Sequence, residues 1–241
     1  MSIYIYRYIM LKRYNTDKNI NEIGVDEAGR GPLLGRVYTA AVIWDNDIKI
    51  PENIKINDSK KLKPKEIIMA GDFIMKNAKM YSIKYATEET IDNINILQAT
   101  MKSIHECLDE VTTKINKDVF IIMDGTYFKK YKDIDYVCVK EGDSKYFAVA
   151  CASILAKYSR DLYIDELCEL NPDLIYKYGI DTNKGYGTMK HMEGLKKYGI
   201  SKFHRKTFRP CSSYTDMPKP LIKIKKISIY ESECELNECL L

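Results

Sequence analysis

Four acidic side chains stand at positions where they could carry chemistry, at the ends of apolar runs or in a short polar motif. They are Asp26, Glu27, Asp124 and Asp143. Four carboxylates in one site would repel one another strongly unless a cation held them. Hard oxygen ligands of this kind suit Mg²⁺ or Mn²⁺, and two such ions about 4 Å apart can hold the attacking and leaving oxygens of a phosphodiester. The acidic residues therefore predict metal-dependent hydrolysis of a phosphate ester.

Each acidic residue taken alone also has a structural interpretation. An aspartate at the end of a strand commonly forms a turn, and Asp143 stands where it could cap the long helix that follows it. The adjacent pair Asp26 and Glu27 is harder to explain in this way, because neighbouring residues of a regular strand point to opposite faces. For both to share one site the strand must break there, and the glycines that follow allow a break.

Glycine is concentrated directly after this acidic pair. The segment GVDEAGRGPLLG, residues 24–35, contains four of the 12 glycines in the chain. Such a density predicts a position at which the backbone approaches a partner closely, because glycine has no side chain in the way.

The elements that must position these residues follow from hydrophobic periodicity. Alternation and apolar runs predict strands at 22–26, 36–44, 80–86, 119–123 and 136–139. Helical periodicity predicts helices at 64–79, 93–114 and 143–169, the first beginning at Pro64 and the second capped by Asn93. Strands come first and then alternate with helices, so the expected fold class is α/β with a mixed sheet.

Composition excludes several classes of protein. The 241 residues are 45% apolar with a net charge of +4, which suits a globular domain and permits an anionic partner. Seven cysteines without a C-x-x-C spacing predict free thiols in a reducing, intracellular compartment, and three histidines argue against a histidine-built metal site. No apolar run reaches the roughly 18 residues that a membrane span needs. We expect an N-terminal arm at 1–20, a catalytic domain at 21–210 and a tail at 211–241.

Several segments, in order along the chain, are similar to the motifs of one family of nucleases. They are GVDEAGRGPLLG at 24–35, NDSKKL at 57–62, MDG at 123–125, GDSKYFAVACASILAKYSRD at 142–161, and NKGYGTMKH with FHRKTF at 183–208. Over most of residues 22–210 the chain resembles the type 2 ribonucleases H, ribonuclease HII. The resemblance implies a ribonuclease H-like fold, with a central mixed β-sheet flanked by helices and a small helical C-terminal part that grips a duplex.

The resemblance also implies the reaction. Its four catalytic, metal-binding positions fall on Asp26, Glu27, Asp124 and Asp143, with two divalent ions, Mg²⁺ or Mn²⁺, and with Asp26 between them. The implied substrates are the RNA strand of RNA·DNA hybrids and single ribonucleotides embedded in duplex DNA, cut on their 5′ side. Hydrolysis by a metal-activated water would produce a 3′-hydroxyl and a 5′-phosphate. The implied biological role is ribonucleotide removal and primer clearance during replication and repair.

Six further positions are implied to bind substrate. Backbone groups at Gly29 and Gly31 would approach the 2′-hydroxyl that distinguishes RNA from DNA, and Arg30 would contact the neighbouring phosphate. The ring of Tyr186 would stack on the next sugar and favour a deoxyribose. Lys60 and Lys184 would contact phosphates, although loop lysines are more often simply solvated.

Alternatives remain at this point. A ribonuclease HIII-like activity would need longer hybrid stretches, and a divergent copy could bind hybrids without cutting them. Three positions depart from the family pattern, namely Arg36, Thr126 and Asn183, and none of them is an implied metal ligand. No docking motif for a sliding clamp is seen, and we expect a monomer without a membrane partner.

Overall fold

The computed structural model describes residues 11–14, 20–45, 47–115 and 118–214. Five strands lie in this part of the chain: β1 (Asn21–Ala28), β2 (Val37–Ile43), β3 (Met80–Ala86), β4 (Val119–Asp124) and β5 (Tyr136–Val139). The α-helices are α1 (Pro64–Asn77), α2 (Glu88–Thr113), α3 (Phe147–Leu170), α4 (Pro172–Tyr178), α5 (Ile180–Asn183) and α6 (Met189–Tyr198). Short 3₁₀ helices occur at Ser59–Lys61, Gly142–Ser144 and Cys211–Tyr214.

The strands form one mixed sheet in the order β3-β2-β1-β4-β5. The first three strands pair antiparallel, whereas β4 and β5 run parallel to β1. The predicted α/β class with a mixed sheet flanked by helices is therefore confirmed. Because β1, β4 and β5 run in the same direction, their carboxyl ends meet at one edge of the sheet.

Helices cover both faces of the sheet. On one face, apolar side chains of α2 pack on β1 and β4. On the other face α1 and α3 pack on β2, and α3 lies directly on β1, where a Cβ added to Gly24 would stand 2.1 Å from the carbonyl carbon of Ala148. Glycine at this position lets the two backbones touch, and this contact fixes α3 against the strand that carries Asp26.

Three local predictions were wrong. The first strand does not break at the acidic pair, since Asp26 and Glu27 both stay in register with β2 and the strand ends at Ala28. Asn93 does not cap the second helix. This helix begins at Glu88, capped by Thr87, and is kinked at Asn95, whose side chain accepts from the Gln98 N–H at 3.0 Å and caps the second part. The helix predicted at 143–169 begins only at Phe147, so Asp143 does not cap it.

The C-terminal helices form a separate apolar cluster against the end of α3. Leu33 and Leu34 of the segment after β1 insert into this cluster. The packing continues beyond the expected boundary at 210, because Cys211 is wholly buried in the same cluster. Most of the predicted arm and nearly all of the predicted tail lie outside the described residues, so their roles stay predictions.

Two buried histidines connect the C-terminal segments. The Ser201 N–H donates to Nδ1 of His204, and the two Nε2 atoms of His204 and His191 lie 2.9 Å apart. His191 Nδ1 in turn lies 3.0 Å from the carbonyl oxygen of Tyr186. These partners define one tautomer for each ring: Nε2–H of His204 donates to His191, and Nδ1–H of His191 donates to Tyr186. Both rings must be neutral for this chain of hydrogen bonds to exist.

We expect acid to destabilise the protein through this pair. Burial lowers the pKa of His204 from 6.5 to about 3 and also lowers that of His191. Between pH 6.5 and pH 3 the His204 ring is protonated in the unfolded chain but neutral in the folded protein. The free energy of unfolding is therefore highest above pH 6.5 and falls as the pH drops below that value. The difference in the pKa of His204 between the folded and unfolded states should by itself lower the free energy of unfolding by about 2 kcal/mol between pH 7 and pH 5.

Urea unfolding at several pH values measures this loss. The matched variant is His204→Gln, which can accept from Ser201 and donate to His191 without titrating. Its stability should change less steeply with pH than that of the wild type, and equal slopes would contradict the role given to His204.

Candidate active site

The carboxyl ends of β1 and β4 bring two of the predicted acidic residues together. The parallel register pairs Val25 with Met123, so the next residues, Asp26 and Asp124, end up on adjacent strands at the same edge of the sheet. Asp143 joins them from the 3₁₀ turn that follows β5, where the Gly142 N–H donates to Oδ1 of Asp124 at 2.7 Å.

Glu27 also belongs to this region, although the strand is regular. The charge of Glu27 helps to raise the pKa of Asp26, and the charge of Asp124 helps to raise the pKa of Glu27. Burial is the largest cause in both cases, and Arg30 opposes the shift at Glu27. The structure therefore gathers Asp26, Glu27 and Asp124 into one electrostatic group at the end of the sheet, without the strand break that sequence reasoning required.

The side chain of Asp143 is buried beside this group and is repelled by it. Burial and the charge of Asp124 raise the pKa of Asp143 to about 6. Its Oδ2 atom is buried without a hydrogen-bond partner among the described residues. A buried carboxylate oxygen with no partner is costly, and a bound cation would satisfy it.

The exposed residue Lys60 is close enough to these carboxylates for their charges to act on it. Partial burial works to lower its pKa, but the carboxylates of Asp143, Asp58 and Asp26 outweigh burial and the pKa is raised. The position was predicted as a phosphate contact. Its ammonium group also offsets part of the negative charge of the acidic group.

The donor set suits a divalent cation, and two of its members already have partners within the protein. Oδ1 of Asp26 accepts from the Glu27 N–H at 2.7 Å, and Oε1 of Glu27 lies 3.3 Å from Nη1 of Arg30. Within the part of the chain that the structure describes, no three His, Cys, Asp or Glu side chains are arranged to hold a metal ion as they stand. The hard oxygen donors and the unpartnered Oδ2 of Asp143 nevertheless fit Mg²⁺ or Mn²⁺.

The Gly-Arg-Gly loop, residues 29–31, follows β1 directly. Gly29 has φ +93°, and a Cβ there would lie 2.1 Å from Nε of Arg160. The predicted reason for this glycine was free access for a substrate sugar. The structure adds a second reason, which is that Arg160 of α3 fills the space behind the loop.

Tyr186 and the Gly-Arg-Gly loop share one surface. A Cβ at Gly31 would stand 3.3 Å from Cε1 of Tyr186, whose side chain is 48% exposed. The Leu33 N–H donates to the Gly185 carbonyl at 2.9 Å, which ties the two segments together. Lys184, for which the sequence predicts a phosphate contact, forms an ion pair with Asp165.

Sequence reasoning gave little weight to two buried arginines under this surface. Arg160 donates to the Lys184 carbonyl at 2.9 Å, and Arg205 donates to backbone carbonyls of the Gly-Arg-Gly loop. Burial and the charge of Arg160 lower the pKa of Arg205 to about 9, so its guanidinium stays charged at neutral pH. Arginine is rarely buried, so residue type gives no reason to place these two inside the protein. The one signal that could have found them is that both lie in segments similar to the family motifs, 142–161 and 203–208.

A mixed sheet that gathers carboxylates at the ends of parallel strands, beside an exposed loop rich in glycine, points to one class of protein. It is that of metal-dependent nucleases with the ribonuclease H-like fold. The family model described as Ribonuclease HII matches residues 23–211. A curated Ribonuclease HII from Christiangramia forsetii is 42% identical over 200 residues, which cover 83% of this chain and 95% of that protein.

Solved structures show the same fold. The ribonuclease H2 of Pyrococcus horikoshii superposes with a TM-score of 0.63 at 23% identity, covering 81% of this chain and 97% of that chain. Bst-RNase HIII in complex with Mn²⁺ superposes with a TM-score of 0.54 at 16% identity, covering 74% and 70%.

The chain belongs to the ribonuclease HII family. It is a ribonuclease H, an endonuclease that acts on RNA·DNA hybrids and depends on divalent metal ions. Among its described residues, no helix is both long and apolar enough to cross a membrane.

Proposed function

We propose that this ribonuclease H nicks duplex DNA on the 5′ side of single embedded ribonucleotides, in addition to cleaving longer RNA·DNA hybrids. The observation that supports this proposal most directly is the close approach of the Tyr186 ring to Gly31, where an added Cβ would lie 3.3 Å from Cε1 of the ring. A loop suited to reading a 2′-hydroxyl and a ring suited to a deoxyribose lie side by side there, which is the arrangement that a junction from RNA to DNA requires.

The acidic group would hold two divalent ions, Mg²⁺ or Mn²⁺, through Asp26, Glu27, Asp124 and Asp143. Such ions supply an activated water and stabilise charge on the attacked phosphate. The protein contributes the buried position of Asp26, which brings its carboxylate to the sheet edge, and the turn that carries Asp143. Lys60 is placed to offset negative charge when a phosphate joins the carboxylates.

Arg30 and the loop glycines carry the proposed substrate recognition. The Arg30 side chain is 47% exposed and contacts Glu27, so it can exchange that carboxylate for a phosphate of the duplex. Lys184 would add a phosphate contact only after leaving Asp165. We further propose that the protein acts as a monomer inside the cell, where the DNA is replicated. There it would remove ribonucleotides and clear primers during replication and repair.

The test uses two labelled substrates with Mg²⁺ or Mn²⁺, a DNA duplex with one ribonucleotide and an all-RNA strand paired to DNA. A cut 5′ of the single ribonucleotide is the expected result, with 3′-hydroxyl and 5′-phosphate ends. Cleavage of the long hybrid alone would contradict the proposal and favour a ribonuclease HIII-like substrate preference.

Replacing Tyr186 by alanine should separate the two substrates. The ring contacts Gly31 at the surface and is not part of an apolar cluster of the described residues, so its removal should leave the fold intact. We expect cleavage at the single ribonucleotide to fall about tenfold or more, since stacking on one sugar or base is worth about 1–3 kcal/mol, and cleavage of the long hybrid to fall less.

Tyr176→Ala is the matched control, because this ring is also exposed at 66% but belongs to α4, away from the loop. It should leave both rates unchanged. Equal losses on both substrates in Tyr186→Ala would mean that the ring has only a general role.

A further inference from the structure

Arg205 is buried completely under the Gly-Arg-Gly loop and contacts its backbone. Nη2 donates to the Gly29 carbonyl at 2.6 Å, Nη1 donates to the Arg30 carbonyl at 2.8 Å, and Nε donates to the Gly35 carbonyl at 2.9 Å. The backbone N–H of Arg205 donates to the Leu33 carbonyl at 2.9 Å. One side chain thus holds both ends of the segment that follows β1.

These contacts determine which way the peptide groups of the loop face. Both peptide bonds that join residues 29–31 are trans, so the carbonyl and the following N–H point in opposite directions. Because the carbonyls of Gly29 and Arg30 face Arg205, the N–H groups of Arg30 and Gly31 face away from it, toward the exposed side of the loop. Neither N–H has a hydrogen-bond acceptor among the described residues.

Two adjacent, outward N–H groups on an exposed turn form a donor pair for an oxygen. The direction of a backbone N–H is determined by the orientation of its peptide plane. Contacts to the carbonyl on the buried side of the loop therefore determine where the N–H points. The planar guanidinium of arginine suits this task, because its donors have a rigid geometry and reach two carbonyls at once. Lysine carries the same charge on a single, freely rotating ammonium group.

The neighbouring Arg160 completes the support. It fills the space beneath Gly29 and donates to the Lys184 carbonyl, two residues before Tyr186. The two arginines therefore hold the loop and the segment that carries Tyr186 in one arrangement.

We propose that Arg205 is a positioning residue for ribonucleotide recognition: it orients the N–H groups of Arg30 and Gly31 toward an oxygen of the substrate at the 2′-hydroxyl. This inference rests on the proposed role of the loop in reading that group. Arg205 itself is buried and does not touch the substrate.

The experiment measures how well the protein distinguishes two duplexes that differ in one 2′-hydroxyl. Affinities for a DNA duplex with one ribonucleotide and for the matching all-DNA duplex are determined by fluorescence anisotropy in the presence of a chelator, where no cleavage occurs. In Arg205→Lys the ratio of the two affinities should fall about fivefold, the worth of one hydrogen bond. A variant that is merely less stable would lose active protein equally for both duplexes and keep the ratio.

Two further variants complete the design. Arg209→Lys makes the same change at an exposed arginine of the same segment and should keep the wild-type ratio. Arg205→Gln removes the buried charge, and serves as the test variant if the lysine variant does not fold.

The outcomes are distinct. A wild type that distinguishes the duplexes, with Arg205 variants whose affinity ratio is about fivefold lower, supports the inference. A wild type that distinguishes them, with Arg205 variants that keep the ratio, overturns it and leaves the proposed function standing. A wild type that binds both duplexes equally contradicts the proposed role of the loop and this inference with it.

Discussion

Asp26→Asn should abolish cleavage and at the same time stabilise the metal-free protein. Asparagine keeps the oxygen that accepts from the Glu27 N–H but removes a buried charge that Glu27 and Asp124 repel. If Asp26 binds metal as proposed, its loss should lower the cleavage rate by a factor on the order of 10³ or more, since metal ions supply several kcal/mol of transition-state stabilisation. Thermal unfolding in a chelator should move to a higher temperature, because burial of the unneutralised carboxylate opposes folding.

Added Mg²⁺ should reverse this order of stability. The wild type gains stability from a bound ion, by about 2.7 kcal/mol when the ion is present at 100 times its Kd, and the variant should gain less. Asp118→Asn, at the opposite end of β4, is the matched control and should match the wild type in every measurement. An Asp26→Asn protein that is less stable in chelator, or that responds to Mg²⁺ like the wild type, would contradict the metal role of Asp26.

Gly24→Ala should destabilise the protein far more than the addition of one methyl group usually does. The new Cβ would stand 2.1 Å from the backbone of Ala148, and neither β1 nor α3 can move without breaking the contact that fixes α3 on the sheet. We expect a loss of at least about 3 kcal/mol in the free energy of unfolding, which is a large part of the total for a domain. Urea unfolding of the metal-free protein measures it.

Gly187→Ala adds the same methyl group where the nearest atom is the end of the Leu33 side chain at 3.1 Å. A flexible side chain can yield, so the change should stay within about 1 kcal/mol. If the two variants unfold alike, the close packing of β1 on α3 does not hold the site in place.

The sheet could be predicted from sequence because its strands are short, apolar and separated by turn residues. Strands β3 and β5 begin and end where periodicity placed them, and β4 extends one residue further, to Asp124. The errors arose at polar boundaries. Asn93 and Asp143 have suitable side chains for helix caps, but Thr87 and Asn95 cap the two parts of α2, and α3 begins only at Phe147.

The residue types of the candidate site could be read from the sequence, but their geometry could not. Four carboxylates in recognisable motifs pointed to the end of the sheet, while the supposed strand break at Asp26 followed from treating the strand in isolation. At the last residues of a strand, side chains of both faces can act on the same region, so no break is needed. The roles of Arg160 and Arg205 were not predictable, because they depend on carbonyls distant in sequence.

The distance along the chain between the Gly-Arg-Gly loop and Arg205 has a consequence for biosynthesis. The hydrogen bond from Arg205 to Gly29 joins residues 176 positions apart. During translation, all four carboxylates have been made once Asp143 is added, whereas Arg205 follows roughly 3–12 s later at about 5–20 residues per second. A nascent or prematurely ended chain therefore has all four acidic residues while it still lacks Arg205, the residue that holds the backbone of the Gly-Arg-Gly loop.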